Sequence, residues 1–149
     1  MSRRKGRILA FQALYSWDVS QSSLEDLLTF SWTQKVASSE SDEALEISDA
    51  TKNEQMFASL IISGTISHIE QIDKLIESHL TNTWNMDRIS KVTLAILRVS
   101  IYEMVFQPDS EIKIIIDEAV KIAKEFGTDD SYKFINAVLD KIGSNGKQI

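Results

Sequence analysis

Four of the first seven residues, Arg3, Arg4, Lys5 and Arg7, are cations, and no acid precedes Asp18. The rest of the chain is acidic: removing those four from 16 Lys and Arg leaves 12 against 22 Asp and Glu, a balance of −10. A surface with that balance repels a polyanion, whereas a basic tip on it attracts one. Ile8, Leu9, Phe11, Leu14, Tyr15 and Val19 follow at helical spacing, so the cations fall in the first turns of an ordered helix and present charge as a fixed surface. A solvated N-terminus is the plainer alternative for such a charge run.

Arg4, Arg7, Phe11 and Tyr15 are spaced i, i+3, i+7 and i+11 and share one row of that helix. Cations and aromatic faces together hold single-stranded nucleic acid, because Lys and Arg neutralise phosphates while rings stack on splayed bases. Periodicity alone favours Phe11 in the core and leaves Tyr15 open. Near the other end, Phe134 lies roughly 90° from the centre of the stripe formed by Ile135, Val138, Leu139 and Ile142. Lys133 flanks it and Lys141 is two turns away. A second aromatic beside lysines at a helix N-terminus, where backbone N–H groups favour anions, completes a binding edge if the two helices are adjacent.

Other chemistries lack their residues. His68 and His79 are eleven residues apart, about 16 Å along a helix, too far to share a metal. There is no cysteine, hence no disulfide framework, thiolate nucleophile or zinc–thiolate site. The five glycines form no phosphate-cradling loop, and no serine sits in a nucleophile elbow. Acid pairs such as Glu43 with Glu46, or Asp129 with Asp130, read as a solvated loop and a helix cap, not a catalytic dyad. A non-enzymatic protein with no metal and no cofactor is expected.

One proline and five glycines in 149 residues, with abundant Leu, Ile, Ala, Glu and Lys, favour an all-α domain with one core. A first helix covers about 3–20, and Ser23 with Asp26 forms a capping-box-like start for a second carrying Leu24, Leu27, Leu28 and Trp32. Residues 36–53, rich in Ser and acids, are expected as a mobile surface loop. A long helix follows from Glu54 to about Leu80, ended by Thr81-Asn82-Thr83, and the layout divides near residue 82 into helices of about 1–82 and 83–149. From Trp84 the row Ile89, Val92, Ile96, Val99 and Glu103 runs to Phe106, before Pro108 forbids continuation. Ile112 to Phe126 is helical, with Gly127 as a left-handed C-terminal cap. Asp129 or Asp130 caps a last helix stopped by Gly143. The run Ile114-Ile115-Ile116 has no second strand to pair with and is kept helical. Polar interruptions exclude a signal peptide, and no apolar stretch spans a membrane, so a soluble cytoplasmic protein is expected.

The opening RRKGRILAFQALYSW, the central WNMDRISKVTLAILRVSIYEM and the closing IIIDEAVKIAKEFGTDDSYKFINAVLDKI resemble the NusB transcription antitermination factors of bacteria. The resemblance implies a compact bundle of about seven helices in two packed subdomains. It further implies binding of boxA RNA from ribosomal RNA operons together with ribosomal protein NusE, within an RNA polymerase antitermination complex that includes other Nus factors. By that resemblance the RNA-binding residues are Arg3, Arg4, Lys5, Arg7 and Tyr15 at one end, and Asp130, Ser131, Lys133 and Phe134 at the other. The NusE surface falls loosely on the helix from Ile89 to Phe106. Gly6 dilutes the basic motif and is expected to weaken the helix there by about 1 kcal/mol, leaving the tip frayed until RNA binds. Ala137 stands where the family often has Gly, and the loop at 38–53 is longer than usual for the family. Two other readings compete. One is an accessory module like the helical domain preceding some RNA cytosine methyltransferases, which expects a large cofactor-binding domain where this sequence stops at Ile149. The other is a protein-binding scaffold whose basic tip is incidental.

Overall fold

The computed structural model describes residues 3–32, 41–80, 86–107, 111–128 and 130–144. Among them are seven α-helices and no strand: α1 (Arg3–Val19), α2 (Leu24–Thr29), α3 (Ser41–Ser67), α4 (Ile69–Ser78), α5 (Lys91–Ile101), α6 (Ile112–Phe126) and α7 (Ser131–Ser144). A 3₁₀ turn, Met86–Arg88, precedes α5, and a π-helical turn, Tyr102–Phe106, continues it.

The architecture is built around α5. Every residue from Thr93 to Met104 is buried, because Leu94, Ala95, Ile96, Leu97, Val99 and Ile101 make the helix apolar on all sides. It packs against α1, α3, α4, α6 and α7, while α1 lies between α5 and α3, and α6 and α7 pair as a hairpin. One buried cluster therefore runs through both halves of the chain, from Ala10 and Leu14 to Leu139 and Ile142. Polar groups on α5 are matched at long range. Arg98 donates from Nε and one Nη to the two carboxylate oxygens of Asp73, both at 2.9 Å, and approaches Asp18 at 3.4 Å.

Local chemistry sets several helix starts. Ser23 Oγ accepts the Asp26 N–H at 3.1 Å, as expected from its capping pattern. Ser90 caps α5 in the same way through the Thr93 N–H. The helices over Ile112–Phe126 and over the Ile135/Val138/Leu139/Ile142 stripe form as expected, including the Ile114–Ile116 run.

Six expectations need correction. The segment expected as a loop is helical from Ser41 onward, because its Ala, Leu and Glu content supports a helix. Residues 36–40 of that loop lie outside the described residues, as do Thr81-Asn82-Thr83, Trp84, Pro108 and Asp129. The helix expected from Glu54 to Leu80 breaks at His68. There the Tyr102 ring crosses α3 at Gly64, where an added Cβ would lie 2.0 Å from Tyr102 Cζ, and the His68 ring packs on Phe106 at 4.2 Å. Gly127 is extended (φ −91°, ψ 178°), not left-handed, and α7 passes through Gly143 to Ser144. Gly6 is buried, and an added Cβ would lie 2.5 Å from Phe57 Cδ2, so it permits a close crossing of α1 and α3 and is no weak point in the tip. Finally, of the span Ile89–Phe106 expected to face NusE, Thr93 to Met104 are buried, and only Ser90, Lys91, Val92, Val105 and Phe106 reach the surface.

Candidate nucleic-acid interface

The basic tip forms the first turns of α1, where Arg3, Arg4 and Lys5 are exposed. Arg4 reaches Glu125 near the end of α6, Nη2 to Oε2 at 3.3 Å, with both side chains about half exposed (44% and 53%). The Arg3 guanidinium lies 5.8 Å from the Phe57 ring centre. Arg7 differs. Its Nε and Nη2 donate to the two oxygens of Glu103 at 2.7 and 3.0 Å, and the two side chains are only 11% and 6% exposed.

The row Arg4, Arg7, Phe11, Tyr15 is accordingly not one surface stripe. Phe11 is core, its ring 5.2 Å from that of Phe126, whereas Tyr15 is 37% exposed. α6 delivers Phe126 over Phe11 and so turns an aromatic that shares a row with the cations inward.

Beyond Arg4 and Glu125 the surface opens into a hollow of about 570 Å³, walled by Leu9, Gln12, Tyr15, Trp32, Val92 and Phe126 among others. It is apolar with aromatic rims, Tyr15 and Phe126 both being partly exposed. A second hollow of about 330 Å³ lies across the first turn of α5, with Arg88, Ser90, Thr128, Asp130, Ser131 and Phe134 in its lining. Phe134 is half-buried and packs against the core, so it is less open than its position on the helical wheel suggests. Ser131 Oγ donates to the Thr128 carbonyl at 2.9 Å and fixes the α6–α7 turn. Asp130 is exposed and pairs with Lys133 at 3.6 Å. Tyr132 lies between two lysines, Lys124 at 4.8 Å and Lys133 at 6.0 Å from its ring centre.

The end of α6 thus bridges the two regions singled out from sequence: Arg4 touches Glu125, and the α6–α7 turn carries Asp130 and leads into the first turn of α7 with Ser131, Lys133 and Phe134. Lys124, Phe126, Trp32 and Arg88 join them, and sequence reasoning missed all four. Phe126 followed directly by Gly127 was a usable signal, since a large aromatic at a helix end is only partly covered by its own helix.

Among the described residues no group of three or more His, Cys, Asp or Glu is placed to hold a metal. His68 and His79 each turn Nδ1 toward a carbonyl four residues earlier, at 2.9 and 2.8 Å. No described helix is long and apolar enough to cross a membrane.

The chain is similar to known proteins over nearly its whole length. The transcription antitermination protein NusB of Treponema denticola is 49% identical over 142 residues, spanning 95% of this chain and 96% of its own. The solved T. maritima NusB has a TM-score of 0.76 at 33% identity, covering 97% of this chain and 92% of that one. A chain in a solved complex of the antitermination factors NusB and NusE with dsRNA gives 0.75 at 26% identity, covering 96% of each. The NusB family itself is matched over residues 4–144, from the basic tip to the end of α7, and this chain belongs to it.

Proposed function

We propose that this protein is a bacterial, cytoplasmic transcription antitermination factor that binds boxA RNA of ribosomal RNA operon transcripts together with ribosomal protein NusE, in a complex with RNA polymerase and other Nus factors. It works by binding alone; its relatives are antitermination factors, not enzymes. The observation that carries the reading is the continuity from exposed cations, through the end of α6, to a hollow rimmed by Tyr15 and Phe126. Phosphates neutralised at Arg3, Arg4 and Lys5 place the strand so that its bases reach Tyr15 and, past the α6–α7 turn with Asp130, Ser131 and Lys133, Phe134. A module resembling the helical domain of RNA methyltransferases is less well supported, since this chain spans 96% of a relative that is itself an antitermination protein.

The acidic balance outside the tip makes a basic partner useful, because it extends the positive track for the polyanion. Fluorescence anisotropy of boxA RNA with and without NusE tests the proposal. Cooperative binding is expected, with boxA RNA tightening the NusE contact by the factor by which NusE tightens the RNA contact. Affinity indistinguishable from that for an unrelated single strand, in both titrations, would refute it.

A further inference from the structure

Arg7 sits within a basic cluster yet its side chain is only 11% exposed, set in the wall of a hollow that it shares with Arg3, Phe57 and Glu103. Its guanidinium is held by both oxygens of Glu103 and lies 5.6 Å from the Phe57 ring centre. A fork of this kind uses the planar geometry of Arg, which Lys does not reproduce. Drawing Arg7 out to a phosphate would strand the Glu103 carboxylate, itself 6% exposed, without its cation. One residue earlier, Gly6 lets α1 close onto Phe57 of α3. Glu103 belongs to the π-helical turn, whose Tyr102 ring lies across Gly64 of the same α3. Three elements therefore meet at one charged joint.

We propose that Arg7 is a positioning residue and not an RNA ligand: its ion pair with Glu103 clamps the first turns of α1 to the π turn and to α3, and so sets where Arg3, Arg4 and Lys5 stand relative to the Tyr15 hollow. This rests on the RNA-binding reading above. The phosphate-contacting set at the tip is then three cations, which gives a salt slope of about −2 in log K against log salt, where four would give about −3.

The test is anisotropy titration of boxA RNA with NusE at several salt concentrations, with thermal melts, on wild type, Arg4→Ala, Arg7→Met, Arg7→Lys and the double variant Arg7→Met/Glu103→Leu. Arg7→Met leaves a buried carboxylate unpaired and should lower the melting temperature by about 10 °C and weaken binding. Removing that carboxylate as well should restore melting, bring affinity to within about threefold of wild type and keep the wild-type slope. Arg4→Ala should be shallower by about 0.7. A double variant that melts like wild type but binds weakly, with a slope shallower by about 0.7, would make Arg7 a phosphate contact. Should the double variant not fold, Arg7→Lys decides: near-wild-type binding supports a phosphate contact, and loss of binding supports the clamp. If wild type itself does not bind boxA RNA, the functional reading fails separately, and an unchanged melt in Arg7→Met overturns the clamp.

Discussion

Arg4 and Arg7 stand one turn apart on α1, and each faces a glutamate from the C-terminal half of the chain. The Arg4–Glu125 pair lies at a half-exposed edge at 3.3 Å, while the Arg7–Glu103 pair is nearly closed off from water and doubly bonded. Water and salt compete for the first, so its net worth is small and its cation exchanges readily for a phosphate. The second sits where an unpaired charge is costly, so it holds the helix in place. Two arginines of one basic run are thus divided by burial, and burial is decided by what α3, α5 and α6 bring to that face of α1.

The largest expected effect separates the two pairs by stability. Glu103→Leu leaves the Arg7 charge buried without a partner and should cost about 3–5 kcal/mol, whereas Glu125→Leu should stay within about 0.5 kcal/mol. Urea denaturation of both variants checks this. Similar costs for the two would erase the distinction between edge and joint.

Gly6, between the two arginines, tests the same joint without touching charge. Intrinsic propensity says that Gly6→Ala should stabilise α1 by about 1 kcal/mol. The 2.5 Å approach of an added Cβ to Phe57 Cδ2 says otherwise, since the ring and the α3 backbone behind it must shift. Overpacking of this kind costs about 1–3 kcal/mol, so a net loss is expected in a thermal melt. A gain would show that Phe57 yields freely and that α1 and α3 are not tightly held there.

At the far end of the edge, Phe134→Ala should weaken boxA RNA binding by about 1–3 kcal/mol if the ring stacks on a base. Because Phe134 is half-buried against the core, some stability should go with it, but less than the roughly 3–5 kcal/mol of a fully packed Phe. Phe11→Ala is the control, since that ring is core and its loss should appear in stability first. A Phe134 variant with full stability loss and unchanged RNA affinity would remove it from the interface.

Elements set by local chemistry were legible in the sequence: the Ser23 cap, the helix from Ile112 to Phe126 and the stripe through Ile142 all form as their spacing dictates. Features set at a distance were not. Arg7 and Glu103 are 96 residues apart in sequence, and nothing near either one marks the other as its partner. The row Ile89, Val92, Ile96, Val99 and Glu103 described one face of α5, yet Leu94, Ala95, Leu97 and Ile101 fill the remaining faces, and that all-round apolar pattern was the sign of a buried hub. Gly6 read as a weak helix position because propensity is local, while the ring it admits comes from α3; the ring that crosses Gly64 comes from the turn after α5. The tip and the α7 start were found as separate patches, and only the fold supplies Glu125 and Phe126 between them.

Glu125 gives the smallest and most diagnostic effect. In the free protein its carboxylate occupies Arg4; on the proposed reading a phosphate takes its place in the complex, and the carboxylate adds a negative charge beside the strand. Exposed pairs of this kind are worth about 0.2–1 kcal/mol, so Glu125→Gln should tighten boxA RNA binding by no more than about fivefold and leave the fold untouched. The gain should shrink as salt rises, since salt already screens the exposed charge that the substitution removes. In the Arg4→Ala background most of it should vanish, because the released cation is the one that matters. A gain of the same size without Arg4 would mean that Glu125 acts only by general repulsion, and that Arg4 is no more a ligand of the RNA than Arg7.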